Sequence, residues 1–354
     1  MFDRLVNERP YSLKQSDKEA MLLEGLNELM EHHYRASQPY ARIVDKGWGG
    51  LRRYDSIEDI PFLPVSLFKA LELRSGAGPM ATLKSSGTTG QTPSRIFVDP
   101  ETSARQSKAL VASFRPILGA SRIPFLAIDS QDVTRPTDLT ARGAGVLGMM
   151  KFGARPAFAL NSALDVDKSV IETFINKFSG KPFLIFGFTF LVWTKLYKSY
   201  ADGELDLSNA VVVHSGGWKK VESERVSHEE FNAALKRRFN LRSIYNFYGF
   251  VEQMGSMFIE GDDSYLYAPN FTDVIIRRPG DWEPAEIGEE GVIQVVSLLP
   301  RSYPGHSVLT EDLGTIMSVD SGVGGRLGKA LKISGRVPKA ELRGCSDVIG
   351  AQAA

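Results

Sequence analysis

The feature that most narrows the fold is a set of short, continuous apolar runs, Phe183-Leu184-Ile185-Phe186 and Val211-Val212-Val213 above all, set between helical patterns. A strand that is apolar on both faces has to be covered on both faces, as parallel strands are by crossover helices. Arg95-Ile96-Phe97-Val98, Phe125-Leu126-Ala127-Ile128 and Ser243 to Phe247 read as further strands. Val170, Ile171, Phe174 and Phe178 mark one helix face, ended by Gly180 and Pro182. Phe231, Leu235 and Phe239 mark another, opened by a Ser227/Glu230 capping box, and Asp99-Pro100 starts a third with proline at its first position. Nearer the N-terminus, Ser16 and Glu19 predict a capping box ahead of Leu22, Leu26, Leu29 and Met30, and the prolines of the 60–65 segment then turn the chain. Past residue 255 the rhythm changes. Met257-Phe258-Ile259, Tyr265-Leu266-Tyr267, Val274-Ile275-Ile276 and Val292 to Val296 follow one another with turn residues between, which predicts a more antiparallel, strand-rich subdomain. The expected class is α/β, with mixed sheets covered by helices.

Composition removes several function classes. Lysine plus arginine equals aspartate plus glutamate, 42 each, so no charge footprint points to nucleic acid or an anionic membrane. The single cysteine excludes an internal disulfide framework and any multi-cysteine metal site, and fits a reducing cytoplasm. The N-terminus lacks the charged-then-apolar order of a signal peptide. The longest apolar run, Pro182 to Trp193, has 12 residues, whereas a membrane span needs roughly 20. It reads instead as a core strand with its following turn. The five histidines show no metal-ligand spacing.

Chemistry concentrates in Ser85-Ser86-Gly87-Thr88-Thr89-Gly90. Two glycines permit unusual backbone angles and close approach of a ligand, and four hydroxyls supply donors to phosphate oxygens. It is not a Walker loop, because no Gly-Lys-Ser/Thr ends it. Composition alone favours an ordinary Ser/Thr/Gly turn. Followed by Pro93, however, the hexapeptide resembles the phosphate loop of the adenylate-forming superfamily, which includes acyl-CoA synthetases, peptide-synthetase adenylation domains and firefly luciferase. Further motifs follow in the same order. Ser215-Gly216-Gly217 resembles the turn whose glycine backbone packs against adenine. Tyr248-Gly249-Phe250-Val251-Glu252 resembles the motif whose tyrosine lies on adenine and whose glutamate helps hold Mg²⁺. Asp312, in Thr310-Glu311-Asp312-Leu313-Gly314, matches the aspartate that binds the ribose hydroxyls, and Arg336, after Gly335, the hinge arginine near ribose or phosphate. The residue types suit these roles: a carboxylate is a hard oxygen ligand and accepts two hydrogen bonds, and a guanidinium is a forked cation. The superfamily usually has lysine after the proline, where this chain has Ser94.

Three segments narrow the resemblance. Pro61-Phe62-Leu63-Pro64-Val65-Ser66-Leu67-Phe68-Lys69, Tyr248-Gly249-Phe250-Val251-Glu252-Gln253 and the run from Gly335 to Cys345 together resemble the acyl-protein synthetase (LuxE) family. The resemblance implies an adenylate-forming large domain with a truncated C-terminal lobe. It divides the chain into a helical N-terminal segment (1–80), an ATP- and acyl-binding adenylation domain (81–305) and a short lobe carrying the acceptor cysteine (306–354). It implies ATP and Mg²⁺ as cofactors, with Glu252 as the metal ligand. A carboxylic acid, fatty in that family, is activated as an acyl-adenylate and then held on Cys345 as a thioester. Delivery would be to an acyl reductase or an acyl carrier protein. The C-terminal domain lysine of the wider superfamily has no clear counterpart, so either Lys339 takes its place or adenylation proceeds without it. A thiol is a sound acceptor, because a few per cent is thiolate at neutral pH and Arg343 and Arg336 would raise that fraction. An acyl- or aryl-CoA ligase of the phenylacetate type and a non-catalytic nucleotide-binding scaffold are the alternatives. Phe186, Phe188, Phe190 and Phe250 are candidates to line an apolar acyl pocket, as well as candidates for plain core.

Overall fold

A computed structural model describes residues 1–84, 93–135, 140–218 and 221–337. They form two compact units, one of residues 1–113 and 249–337, the other of residues 114–248.

The first unit opens with α1 (Phe2–Asn7), α2 (Gln15–Ala36) and α3 (Gln38–Trp48). Leu22, Leu26, Leu29 and Met30 of α2 are buried at the expected spacing. The capping box is corrected. Ser16 lies inside α2, which starts one residue earlier after Lys14. The cap comes from far along the chain: both Asp320 carboxylate oxygens accept from the Gln15 N–H at 3.0 Å. A local sequence signal cannot show a cap delivered from 305 residues away. Deeper in the unit, Lys18 is buried against Asp273 at 3.3 Å, and Lys329 reaches both Asp273 (3.3 Å) and Glu19 (3.2 Å). Burial alone would raise the Asp273 carboxyl, but the two ammonium groups hold it below its ordinary value.

The chain continues through β1 (Leu63–Pro64) and α4 (Leu67–Ala70) to the antiparallel hairpin β2 (Ala81–Lys84) and β3 (Arg95–Val98). It leaves the unit within α5 (Pro100–Leu118), whose first turn is capped by Asp99 accepting from the Thr102 N–H at 2.7 Å.

The second unit is a parallel sheet of β4 (Ile123–Ser130), β5 (Gly153–Leu160), β6 (Phe183–Phe188), β7 (Ala210–Ser215) and β8 (Ser243–Tyr248), ordered β8-β7-β6-β4-β5. Helices α6 (Ala141–Met149), α7 (Lys168–Lys177), α8 (Thr189–Leu191) and α9 (His228–Phe239) lie between the strands in sequence. Burial follows the expected faces: Ile171 and Phe174 of α7, and Phe231, Leu235 and Phe239 of α9, join the core with Ile185 and Val212. Ser227 caps α9 by accepting from the Glu230 N–H at 3.0 Å. The run from Pro182 continues into helical turns from Thr189 to Ser199 rather than a simple turn.

Back in the first unit come β9 (Phe258–Glu260), β10 (Leu266–Tyr267), β11 (Thr272–Arg277), β12 (Glu290–Ser297), β13 (Ser307–Val319) and β14 (Lys329–Arg336). They pair antiparallel in the order β11-β12-β13-β14-β10-β9, with β1 parallel to β13. This is the antiparallel change of rhythm expected past residue 255. Among the described residues no helix is long and apolar enough to cross a membrane.

Candidate functional site

In the first unit Glu252 sits in a single helical turn, Val251–Gln253, and is 5% exposed. Burial pushes its carboxyl above the usual range. A hydrogen bond from the wholly buried Ser94 and the positive charge of Lys69 pull it back, without reversing the direction. The turn is held from two sides. Gln253 Nε2 donates to the carbonyls of Val295 (2.8 Å) and Gly305 (2.7 Å). Gly305 approaches so closely that a Cβ there would lie 2.3 Å from the Tyr303 ring and 2.8 Å from the Glu252 carbonyl oxygen. Only glycine fits.

Strand β13 supplies the next carboxylates. The Thr310 hydroxyl donates to the Ile293 carbonyl (2.8 Å) and accepts from the Asp312 N–H (3.1 Å), which fixes the backbone at this point. Register places Asp312 opposite Arg336 of β14, and Arg336 Nε donates to Asp312 Oδ1 at 3.2 Å. The Val337 N–H donates to the Glu311 carbonyl at 3.0 Å. Glu311 Oε1 in turn lies 3.7 Å from Lys69 Nζ. Lys69 is carried to β13 by the β1 pairing (Leu63 with Val308, Pro64 with Leu309) and by the Val65 N–H, which donates to the Leu309 carbonyl at 2.8 Å. The first unit thus gathers Lys69, Ser94, Glu252, Glu311, Asp312 and Arg336.

In the second unit the candidates lie at the carboxyl ends of parallel strands, where open α/β sheets bind their ligands. Ser215 ends β7, and its hydroxyl donates to the Phe247 carbonyl of β8 at 2.7 Å. Gly216 follows at φ +85°, and a Cβ on it would come within 3.0 Å of the Phe188 ring. Gly217 has open space around it, and Tyr248 closes β8. Gly249 begins the return to the first unit, where a Cβ would stand 2.6 Å from Met257 Sδ. Phe186 is fully buried and stacks on Phe247, ring centroids 6.3 Å apart, whereas Phe188 and Phe190 are half-buried. Phe250 packs instead on the core of the first unit. The phosphate-loop residues Ser85, Ser86, Gly87, Thr88, Thr89 and Gly90, together with Lys339 and Cys345, lie outside the described residues.

Four residues here carry no role in the sequence reading: Ser94 as the partner of Glu252, Lys69, Gln253 and Gly305. Lys69 and Gln253 stand within segments already distinguished by resemblance, but nothing in their spacing reveals what they touch.

A model of the family described as "Acyl-protein synthetase, LuxE" matches residues 1–353. The chain belongs to that family. Two curated relatives carry the name long-chain-fatty-acid–luciferin-component ligase. The one from Aliivibrio fischeri is 23% identical over 164 residues, covering 45% of this chain and 43% of the relative. The one from Vibrio harveyi is 26% identical over 141 residues, covering 38% of this chain and 35% of the relative. The matches therefore span less than half the length of either relative. Among solved structures, a 2-hydroxyisobutyryl-CoA ligase in complex with 2-HIB-AMP and CoA aligns with a TM-score of 0.70 over 93% of this chain and 70% of its own, at 14% identity. An amide bond synthetase from Marinactinospora thermotolerans aligns at a TM-score of 0.50 over 75% and 51%, at 18% identity. At these identities the likeness is one of fold, and the fold is that of the adenylate-forming ligases.

Proposed function

We propose that the chain activates a carboxylic acid with ATP and then carries the acyl group on Cys345. The observation that supports this most strongly is the family match over residues 1–353. The curated relatives' names point to a long-chain fatty acid. The first step joins a carboxylate oxygen of the acid to the α-phosphorus of ATP, and pyrophosphate leaves with the electrons of the broken P–O bond. In the second, the Cys345 thiolate adds to the acyl carbonyl, and AMP leaves. The product is a thioester, still reactive enough for later transfer to a reductase or carrier protein.

The residue roles belong to the same proposal. Asp312 would accept from the ribose hydroxyls, in place of its present bond from Arg336, and Tyr248 with the 215–217 turn would receive the adenine. Ser85 to Gly90 would hold the phosphates. Glu252 has the donor chemistry for Mg²⁺, which takes one or two protein carboxylates alongside substrate phosphates. The ion would supply charge neutralisation on the polyphosphate. The protein's share is positioning: Gln253 and Gly305 hold the Glu252 turn, and Thr310 fixes Asp312.

Intact-mass spectrometry after incubation with Mg-ATP and a panel of straight-chain and aromatic acids tests both steps. The expected result is one acyl group added per chain, released by hydroxylamine and absent in Cys345→Ala. Acyl-CoA formed by Cys345→Ala when CoA is added would favour a CoA ligase instead.

A further inference from the structure

Adenylation brings a carboxylate against a polyphosphate, so a site for it needs cations as well as the carboxylates that hold metal and ribose. The usual lysine after the proline is Ser94 here. That side chain is wholly buried and bonded to Glu252, so it is neither a cation nor free to become a phosphate contact.

We propose that Lys69 is the catalytic cation of acyl-adenylate formation, resting on Glu311 in the free protein and turning to the reacting oxygens when nucleotide and acid are bound. The inference rests on the adenylation reading above and deepens it. Three observations carry it. First, position: β1 is stitched to β13 through Leu63, Pro64 and Val65, so Lys69 arrives beside Glu311, one residue from Asp312. Second, the resting contact is loose. Nζ stands 3.7 Å from Glu311 Oε1, and both side chains are about a quarter exposed (28% and 27%). Pairs of this kind contribute little to stability, so the ammonium leaves at small cost. Third, the neighbourhood suits an anion-directed lysine: its charge already acts on Glu252, the buried carboxylate of the same cluster. The cluster's other cation, Arg336, rests on Asp312, the carboxylate assigned above to the ribose, so once that bond is exchanged it stands at the ribose end of the nucleotide rather than beside the acid. Chemically, the Lys69 ammonium would donate hydrogen bonds to the oxygens on which charge builds as the carboxylate adds to the α-phosphorus. It keeps its proton throughout, so no proton balance changes.

Carboxylate-dependent exchange of labelled pyrophosphate into ATP, with octanoic to hexadecanoic acids as probes, tests this on the full chain. Lys69→Ala should lower the exchange rate constant a hundredfold or more, with the KM for ATP changed less than fivefold and an unaltered thermal melt. Lys69→Arg should retain a tenth or more of the rate. Added propylammonium should restore Lys69→Ala several-fold and leave the wild type unaffected, which a merely structural lysine would not show. Wild-type activity with Lys69→Ala within threefold of it overturns the role of Lys69 and leaves adenylation standing. No exchange by the wild-type chain with any acid overturns the adenylation reading itself, and the role of Lys69 with it.

Discussion

Gly305 shows how tightly the Glu252 turn is specified at the level of single atoms. A methyl group there would meet the Tyr303 ring at 2.3 Å and the Glu252 carbonyl oxygen at 2.8 Å, and neither has room to withdraw from a buried position. Gly305→Ala should therefore cost about 1–3 kcal/mol, the usual range for overpacking. It should also move the Glu252 turn, and a shift of about 1 Å in a positioning element can lower a rate on the order of a hundredfold. A thermal melt and the pyrophosphate-exchange rate read the two effects separately; an unshifted melt with full exchange would mean that Tyr303 yields. The carboxylates themselves were legible in the sequence because Tyr248 to Glu252 and Thr310 to Gly314 are contiguous motifs. Gly305, Gln253 and Ser94 were not. Their importance lies in atoms 42 and 52 positions apart in the case of Gln253, and proximity of that kind leaves no mark on local spacing.

At the scale of elements, the parts read well where the signal is short-range. The Ser227/Glu230 box and the Asp99-Pro100 start of α5 are both made by residues within three positions of the N–H they satisfy. The α2 start was misplaced because its cap is not local: Asp320 lies in the turn before β14 and also accepts from the Gly328 N–H at 2.8 Å. One carboxylate thus ties the entry of a helix to the turn between two strands. Asp320→Ala should lower stability by roughly 1 kcal/mol, within the usual span for a lost N-cap. The loss should be visible first as faster amide hydrogen exchange at Gln15 and Gly328, with the centre of α2 unaffected. Equal protection in both variants would show that water replaces the carboxylate without penalty. The nearby Lys18–Asp273–Lys329 group is of another kind. Lys18 and Asp273 are buried and Lys329 is only 12% exposed, so removing Lys18 or Asp273 should be far more damaging than removing Asp320.

For the whole molecule, pH acts through histidines that both units bury. His33 and His306 stack in the first unit with ring centroids 5.0 Å apart, and His214 is enclosed in the second, 2.9 Å from the Thr189 hydroxyl. Burial holds His214 and His306 down at about 3, and His33 well below its ordinary value, with neighbouring histidine charge acting in the same direction. Above about pH 6.5 these imidazoles are neutral whether the chain is folded or not, and they carry no pH-dependent penalty. Below that, the unfolded chain takes up protons that the folded chain refuses. Stability then falls with pH, by up to about 1.4 kcal/mol per unit for each histidine, until the folded value is reached. Glu252 and Asp129 act in the opposite sense, since burial raises both; they offset part of the slope but not its histidine share. Both units should therefore lose stability together between about pH 6.5 and 5, although they need not unfold as one. His306→Gln can still take the 3.2 Å contact that His306 Nε2 makes with the Tyr40 hydroxyl but has no proton to gain. Its melting temperature should fall less steeply with acid than that of the wild type, by the equivalent of about one proton. His214→Asn should do the same for the second unit alone. Parallel pH curves for wild type and both variants would mean that the buried imidazoles are protonated in the folded chain after all, and that the acid sensitivity comes from carboxylates held below their ordinary values, such as Asp273.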